Sequence, residues 1–208
     1  MKKYYIIFIS SLIFILSGCA TATLQTQAKT TRTITLMPDQ LNDKKVYLRV
    51  TGTEASKIEL KAPLKKALEQ RGVTLVNSAE DARFYLHVNT LFADNLKEAM
   101  NLNAALMGGV AAGAISTVNH SGGDSLLIGV GVALAMGLTD RALADETYRA
   151  VINIALSEKN KNNTTSTEWS RPQETRLLVE AVRMNLNLEE AKPVMEDKAS
   201  YQIAEIFK

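Results

Sequence analysis

Val182-Arg183-Met184-Asn185-Leu186-Asn187-Leu188-Glu189-Glu190-Ala191-Lys192-Pro193-Val194-Met195 changes its hydrophobic period midway. In its first half Val182, Met184, Leu186 and Leu188 alternate with Arg183, Asn185 and Asn187, the period of a strand with one buried face. In its second half Ala191, Val194 and Met195, continued by Ala199, Ile203, Ile206 and Phe207, fall on one helical stripe. Glu189 and Glu190 occupy the first turn, where negative charge meets the positive end of the helix dipole. A strand ending at Leu188 that feeds a closing helix predicts an α+β fold.

Working towards the N-terminus, Tyr148 to Leu156 reads as another strand, followed by a polar loop from Ser157 to Pro172. Phe84, Leu86 and Val88 share one face of a strand from Phe84 to Leu91, and Val46, Leu48 and Val50 do so in a strand from Val46 to Thr51. Between these two, Leu60, Leu64, Ala67 and Leu68 follow helical spacing up to Gly72, which serves as the C-terminal cap. Val73 to Val76 is a short strand and Ser78 to Ala82 a turn, so this half reads βαββ. Thr33 to Leu36 is a further short strand, and Thr21 to Thr31, rich in Thr and Gln without periodicity, reads as a tether.

From Ala99 onward no charged residue appears until Asp124, and none again from Ser125 to Thr139. Ala105, Gly109 and Gly113 recur at intervals of four in the first arm of this run, and Gly129, Ala133 and Gly137 do so in the second. The turn-forming sequence Asn119-His120-Ser121-Gly122-Gly123-Asp124 separates the arms. The run predicts an inserted Gly/Ala-rich apolar helical hairpin over 99–139. Each glycine in a helix costs up to ~1 kcal/mol relative to alanine, so close backbone packing must compensate. The second arm is shorter than the ~20 residues that span a bilayer, so beside arms packed against neighbouring copies in lipid and a hairpin buried in a soluble core stands the favoured middle reading, a hairpin that inserts only partly or spans only as part of an oligomer.

The N-terminus carries Lys2 and Lys3, an apolar stretch from Tyr4 to Leu16, and the sequence Leu16-Ser17-Gly18-Cys19. This is the form of an export signal ending in a lipobox, with residues 1–18 removed and Cys19 carrying a diacylglycerol and an N-acyl chain. Residues 19–31 then form a lipidated tether and 32–208 the mixed domain with its insert. Ala20 follows the cysteine where an inner-membrane retention signal would place Asp, so the outer membrane is the expected address. Cys19 is the sole cysteine, so no disulfide can form within the chain. Each buried methylene contributes about 0.8 kcal/mol, and two or more chains anchor a protein stably.

The chain has 24 basic and 22 acidic residues, and two of the basic ones are Lys2 and Lys3. A mature chain beginning at Cys19 is neutral, which argues against nucleic acid as a partner. No catalytic or metal site is expected. Gly129-Val130-Gly131-Val132-Ala133-Leu134 lacks the third glycine and the preceding strand of a dinucleotide fingerprint. His87 and His120 have no partner at ligand spacing, and the pairs Glu80–Asp81, Glu189–Glu190 and Glu196–Asp197 sit in turns or helix ends. Trp169 is either an exposed loop contact or a plug over the sheet edge.

Four features together resemble the TraT family of conjugative-plasmid surface-exclusion and complement-resistance lipoproteins. They are the lipobox Leu16 to Cys19, the Gly/Ala-rich run, the segment Asp140 to Ser157 with Asp145-Glu146-Thr147-Tyr148, and the stretch from Asn185 to Asp197. The resemblance implies an oligomeric lipoprotein exposed at the outer-membrane surface that reduces redundant mating and blunts complement. Its partners would be membrane lipid, further copies of itself, and a donor-cell mating apparatus or pilus or a recipient outer-membrane protein. The alternative reading is a structural or channel-forming envelope ring without exclusion activity.

Overall fold

The computed structural model describes residues 23–53, 56–96, 98, 146–159 and 169–208. Six strands form one sheet: β1 (Gln25–Thr30), β2 (Lys45–Gly52), β3 (Thr74–Val76), β4 (Phe84–Asn95), β5 (Glu146–Glu158) and β6 (Gln173–Arg183), in the order β1-β6-β5-β4-β2-β3. Two α-helices, α1 (Lys61–Gln70) and α2 (Leu188–Ala204), join it, with 3-10 turns at Gln40–Asn42 and Glu205–Phe207.

The long antiparallel ladder between β4 and β5 runs from Phe84 opposite Glu158 to Asn95 opposite Tyr148, with a bulge between Thr90 and Phe92. β6 continues the antiparallel pairing on β5, and β1 closes that edge against β6. On the other side β2 lies parallel to both β4 and β3. The helix α1 supplies the crossover between β2 and β3, as parallel neighbours require.

The alternation foreseen in β2 and β4 has its cause in one covered face. Val46, Phe84, Leu86 and Val88 are buried there with Ile152, Ile154, Leu177 and Val179 of β5 and β6. Leu64 and Leu68 of α1 and Met195 and Ile203 of α2 pack onto them. Phe207 meets Phe84 edge-to-face at 5.8 Å, a geometry that adds about 0.5–1.5 kcal/mol to its area burial. The end of α2 is fastened to the end of α1: Arg71 pairs with Glu205 and lies 5.1 Å over the ring of Tyr201, and Lys44 Nζ donates to the Phe207 carbonyl at 2.8 Å.

Gly72 ends α1 as expected. Its φ is +73°, its N–H donates to the Glu69 carbonyl, and the Val73 N–H reaches back to Leu68, the paired bonds of a Schellman cap.

Several expectations are corrected. The α+β domain with an inserted apolar helical hairpin gives way to a mixed sheet, with two of its five strand pairings parallel and with helices on one face. The hairpin residues Ala105, Gly109, Gly113, Gly129, Ala133 and Gly137 lie outside the described residues, and among those described no helix is long and apolar enough to cross a membrane. Small residues every four positions report that something approaches closely; with glycine's helix penalty they do not by themselves dictate a helix. The last strand ends at Arg183 and not at Leu188. Asn185 adopts φ 55°, and Asn187 caps α2 by accepting the Glu190 N–H at 3.0 Å, so Leu186 and Leu188 continue the alternation by coincidence of a turn and a first helical residue. The stretch read as a tether supplies β1, an edge strand that needs backbone partners and no apolar face. Thr33 to Leu36 is not a strand, although Ile34 and Leu36 are buried.

A Cβ at position 72 would meet nothing within 4 Å, so Gly72→Ala isolates the cost of the left-handed backbone: a loss of about 1 kcal/mol is expected in denaturant unfolding. Gly52→Ala, which meets Thr90 at an ordinary 3.5 Å and has no positive φ, is expected to change stability far less. Asn187→Ala is expected to cost ~1 kcal/mol through loss of the α2 cap.

Candidate functional site

The helices cover one face of the sheet, and the functional candidates are on the other. Register puts Tyr47, Arg49 and Thr51 of β2 beside Tyr85, His87 and Asn89 of β4. The rings of Tyr47 and Tyr85 are 5.6 Å apart, Trp169 stands 5.8 Å from Tyr85, and His87 stacks nearly parallel to Tyr85 at 6.4 Å. Trp169 is held by a backbone bridge to Lys159, so of its two readings the cover over the sheet prevails. A second fastening closes this end: Arg83 binds Glu158 at 3.0 Å, and Gln40 donates to the same carboxylate.

Thr51 Oγ1 donates to Asn89 Oδ1 at 3.0 Å and lies 2.9 Å from His87 Nε2. Its one proton is spent on Asn89, so it accepts from the imidazole Nε2–H. Burial, and then the charge of Arg49, lower the His87 pKa. His87 therefore has a structural hydrogen bond, and among the described residues no carboxylate is bonded to it. Among the described residues no group of three His, Cys, Asp or Glu could hold a metal ion.

Towards the Asn95 end the same face changes character. Leu91, Val151 and Leu178 form a small second core, with Phe92 packed against it. Beside it lies Arg149, 1% exposed, paired with Glu180, 2% exposed. Glu180 accepts from Arg149 Nε and is in ionic contact with Nη2, while Nη1 has no hydrogen-bond acceptor among the described residues. Burial raises the Glu180 pKa and outweighs the opposing attraction of Arg149. Desolvation thus dominates this pair, as it commonly does for buried ions.

Sequence reading did not single out this pair. Its signal was present as one cation in Tyr148-Arg149-Ala150-Val151-Ile152 and one anion in Leu177-Leu178-Val179-Glu180-Ala181, each the sole charge within its five residues. Only the register that sets Arg149 opposite Glu180 joins them. Cys19 and the six Gly/Ala positions lie outside the described residues, so the site candidates foreseen in the sequence and those in the sheet are separate sets.

A family model, "Enterobacterial TraT complement resistance protein", matches residues 23–173 of the chain. The chain belongs to that family. Three relatives from Escherichia coli, each named "TraT complement resistance protein", are similar to it along almost their whole length. One is 29% identical over 95% of this chain and 94% of its own. A second is 26% identical over 100% and 99%, and a third, from strain K12, 26% identical over 99% and 98%. The second alignment, 241 residues, is longer than the 208 of this chain, so that relative carries insertions. A solved structure of a DUF4136 family protein from Bacteroides thetaiotaomicron matches at 9% identity and a TM-score of 0.38, covering 85% of this chain and 92% of its own. The relatives are named for complement resistance and not for a catalysed reaction.

The ion pair makes a thermodynamic prediction. Glu180→Ala leaves an uncompensated buried cation and is expected to cost roughly 3–5 kcal/mol, whereas Arg149→Met with Glu180→Leu is expected to be neutral or stabilising. With Glu180 raised, the folded protein holds a proton that the unfolded chain has lost, so stability falls as pH rises from the ordinary 4.5 through the raised value. Urea titrations across that interval check both: the slope is expected to flatten in the double variant.

Proposed function

We propose that this chain is a lipoprotein of the outer membrane, anchored through acylated Cys19 and exposed at the cell surface, that lowers the acceptance of related conjugative plasmids and protects against complement. Family membership together with the lipobox ending at Cys19 carries this reading. The neutral mature composition supports it, because such a chain has no excess of cations to hold nucleic acid. So does the lone cysteine, whose thiol is consumed by the anchor.

The same reading assigns self-association to the uncharged run, with Ala105, Gly109, Gly113, Gly129, Ala133 and Gly137 as the positions where copies approach. A homo-oligomer displayed through acyl chains presents many identical sheets to a donor cell's mating apparatus or to a recipient outer-membrane protein. Multivalent display of that kind strengthens weak single contacts.

Recipients making the protein at normal abundance are expected to take up a related plasmid several-fold less often than recipients making Cys19→Ala, and to survive serum better. Cys19→Ala is expected to leave the membrane fraction. Equal transfer frequencies at equal abundance contradict the exclusion role. A detergent-extracted particle that keeps its size when residues 99–139 are deleted contradicts the assigned self-association.

A further inference from the structure

Strand register places three points of the chain at one end of the sheet. β1 runs antiparallel to β6, with Gln25 beside Val182 and Thr30 beside Leu177. Asn95 lies opposite Tyr148, and Glu146 opposite Arg183. The N-terminal approach to β1 and both roots of the sparsely charged segment between Glu98 and Glu146 therefore share the Asn95 end. The connection between β5 and β6, with Trp169, the Arg83–Glu158 pair and Gln40, is at the opposite end.

From this we infer that the Asn95 end of the sheet rests on the lipid surface and that the Glu158 end, with the Tyr47–Tyr85–Trp169 cluster, points away from it. The inference rests on the lipid-anchor reading of Cys19. Six residue steps separate Cys19 from Gln25, a reach of at most ~20 Å even when fully extended. The twelve steps of β5 make the sheet about 40 Å tall. An upright sheet with its Glu158 end on the bilayer would leave Gln25 about 40 Å from the surface, twice what the anchor allows. Only the Asn95 end down, or the β1 edge down, is compatible with the anchor.

Two features favour the first. Both roots of the segment 99–145, which contains the longest uncharged run of the mature chain, are at that end, whereas the β1 edge carries Gln25, Gln27 and Lys29. Met184, in the turn just past β6, is 48% exposed there, one of few large apolar side chains open to the outside among the described residues. A methionine against headgroups recovers the transfer energy that exposure to water forfeits. The other exposed methionine, Met37 at 66%, is tied through Gln40 to Glu158 at the far end and serves as the internal contrast.

The test uses the full acylated protein in vesicles of phosphatidylethanolamine and phosphatidylglycerol. Acylation consumes the native thiol, so Met184→Cys, Met37→Cys and Lys29→Cys each provide one labelling site, and all three positions are exposed, so the substitutions leave the core intact. Nitroxide relaxation by nickel chelated to lipid headgroups is expected to be several-fold stronger at position 184 than at 37 or 29. Equal relaxation at 184 and 37, or the reverse order, overturns the orientation, and a Lys29 label relaxed as strongly as Met184 establishes the edge-on pose against it. Labels misplaced on vesicle-bound protein refute the orientation alone. Wild-type protein that does not bind the vesicles refutes the anchor and the orientation together.

Discussion

The backbone ladder between β4 and β5 is the constraint from which the rest follows. It fixes Asn95 against Tyr148 and so brings together two points separated by some fifty residues of sequence. Closing so long a loop costs entropy that grows slowly with length, and the ladder's hydrogen bonds and buried faces are what hold it shut. Once β4 and β5 are joined, β6 has one free edge to pair with, and β1 has one free edge of β6. The direction of every strand, and hence the end at which the N-terminus arrives, is set by that succession.

The two faces of the sheet do different physical work. The helix-covered face is apolar along its length, with Phe84, Leu86, Ile152 and Leu177 among its buried residues, and supplies the stability expected of area removed from water. The opposite face is split. At the Glu158 end it offers aromatic rings and the Thr51–His87–Asn89 hydrogen bonds, half-open to the outside. At the Asn95 end it buries an ion pair whose desolvation exceeds its attraction. A buried pair that is costly relative to apolar residues can still enforce register, because a one-residue slip of β6 against β5 would strand both charges.

The sequence disclosed the parts of the fold that rest on side-chain pattern. β2, α1, β4, β5 and α2 were legible because each sets an apolar row against the core, and Gly72 because only glycine takes that backbone turn at no steric cost. Where pairing is carried by the backbone, the pattern was silent. Gln25–Thr30 has no apolar alternation, so β1 read as a tether. Asn185 and Asn187 extended an apparent alternation past the end of β6 because turns and caps place leucines two residues apart as readily as strands do. The Arg149–Glu180 pair depends on register between strands, which a single sequence does not display. The motif Leu16 to Cys19 is a reading of adjacent residues that lie outside the described ones, and the fold does not bear on it.

The central claim is that residues 25–30 are a strand of the sheet and not a loose leash, since this alone fixes the end of the domain at which the preceding residues arrive. Hydrogen exchange of the full-length protein reads it directly. The account predicts that the amides of Gln25–Thr30 facing β6 exchange slowly, alternating with fast neighbours that face outward. Uniform exchange of all six at the rate of an unstructured chain would contradict it.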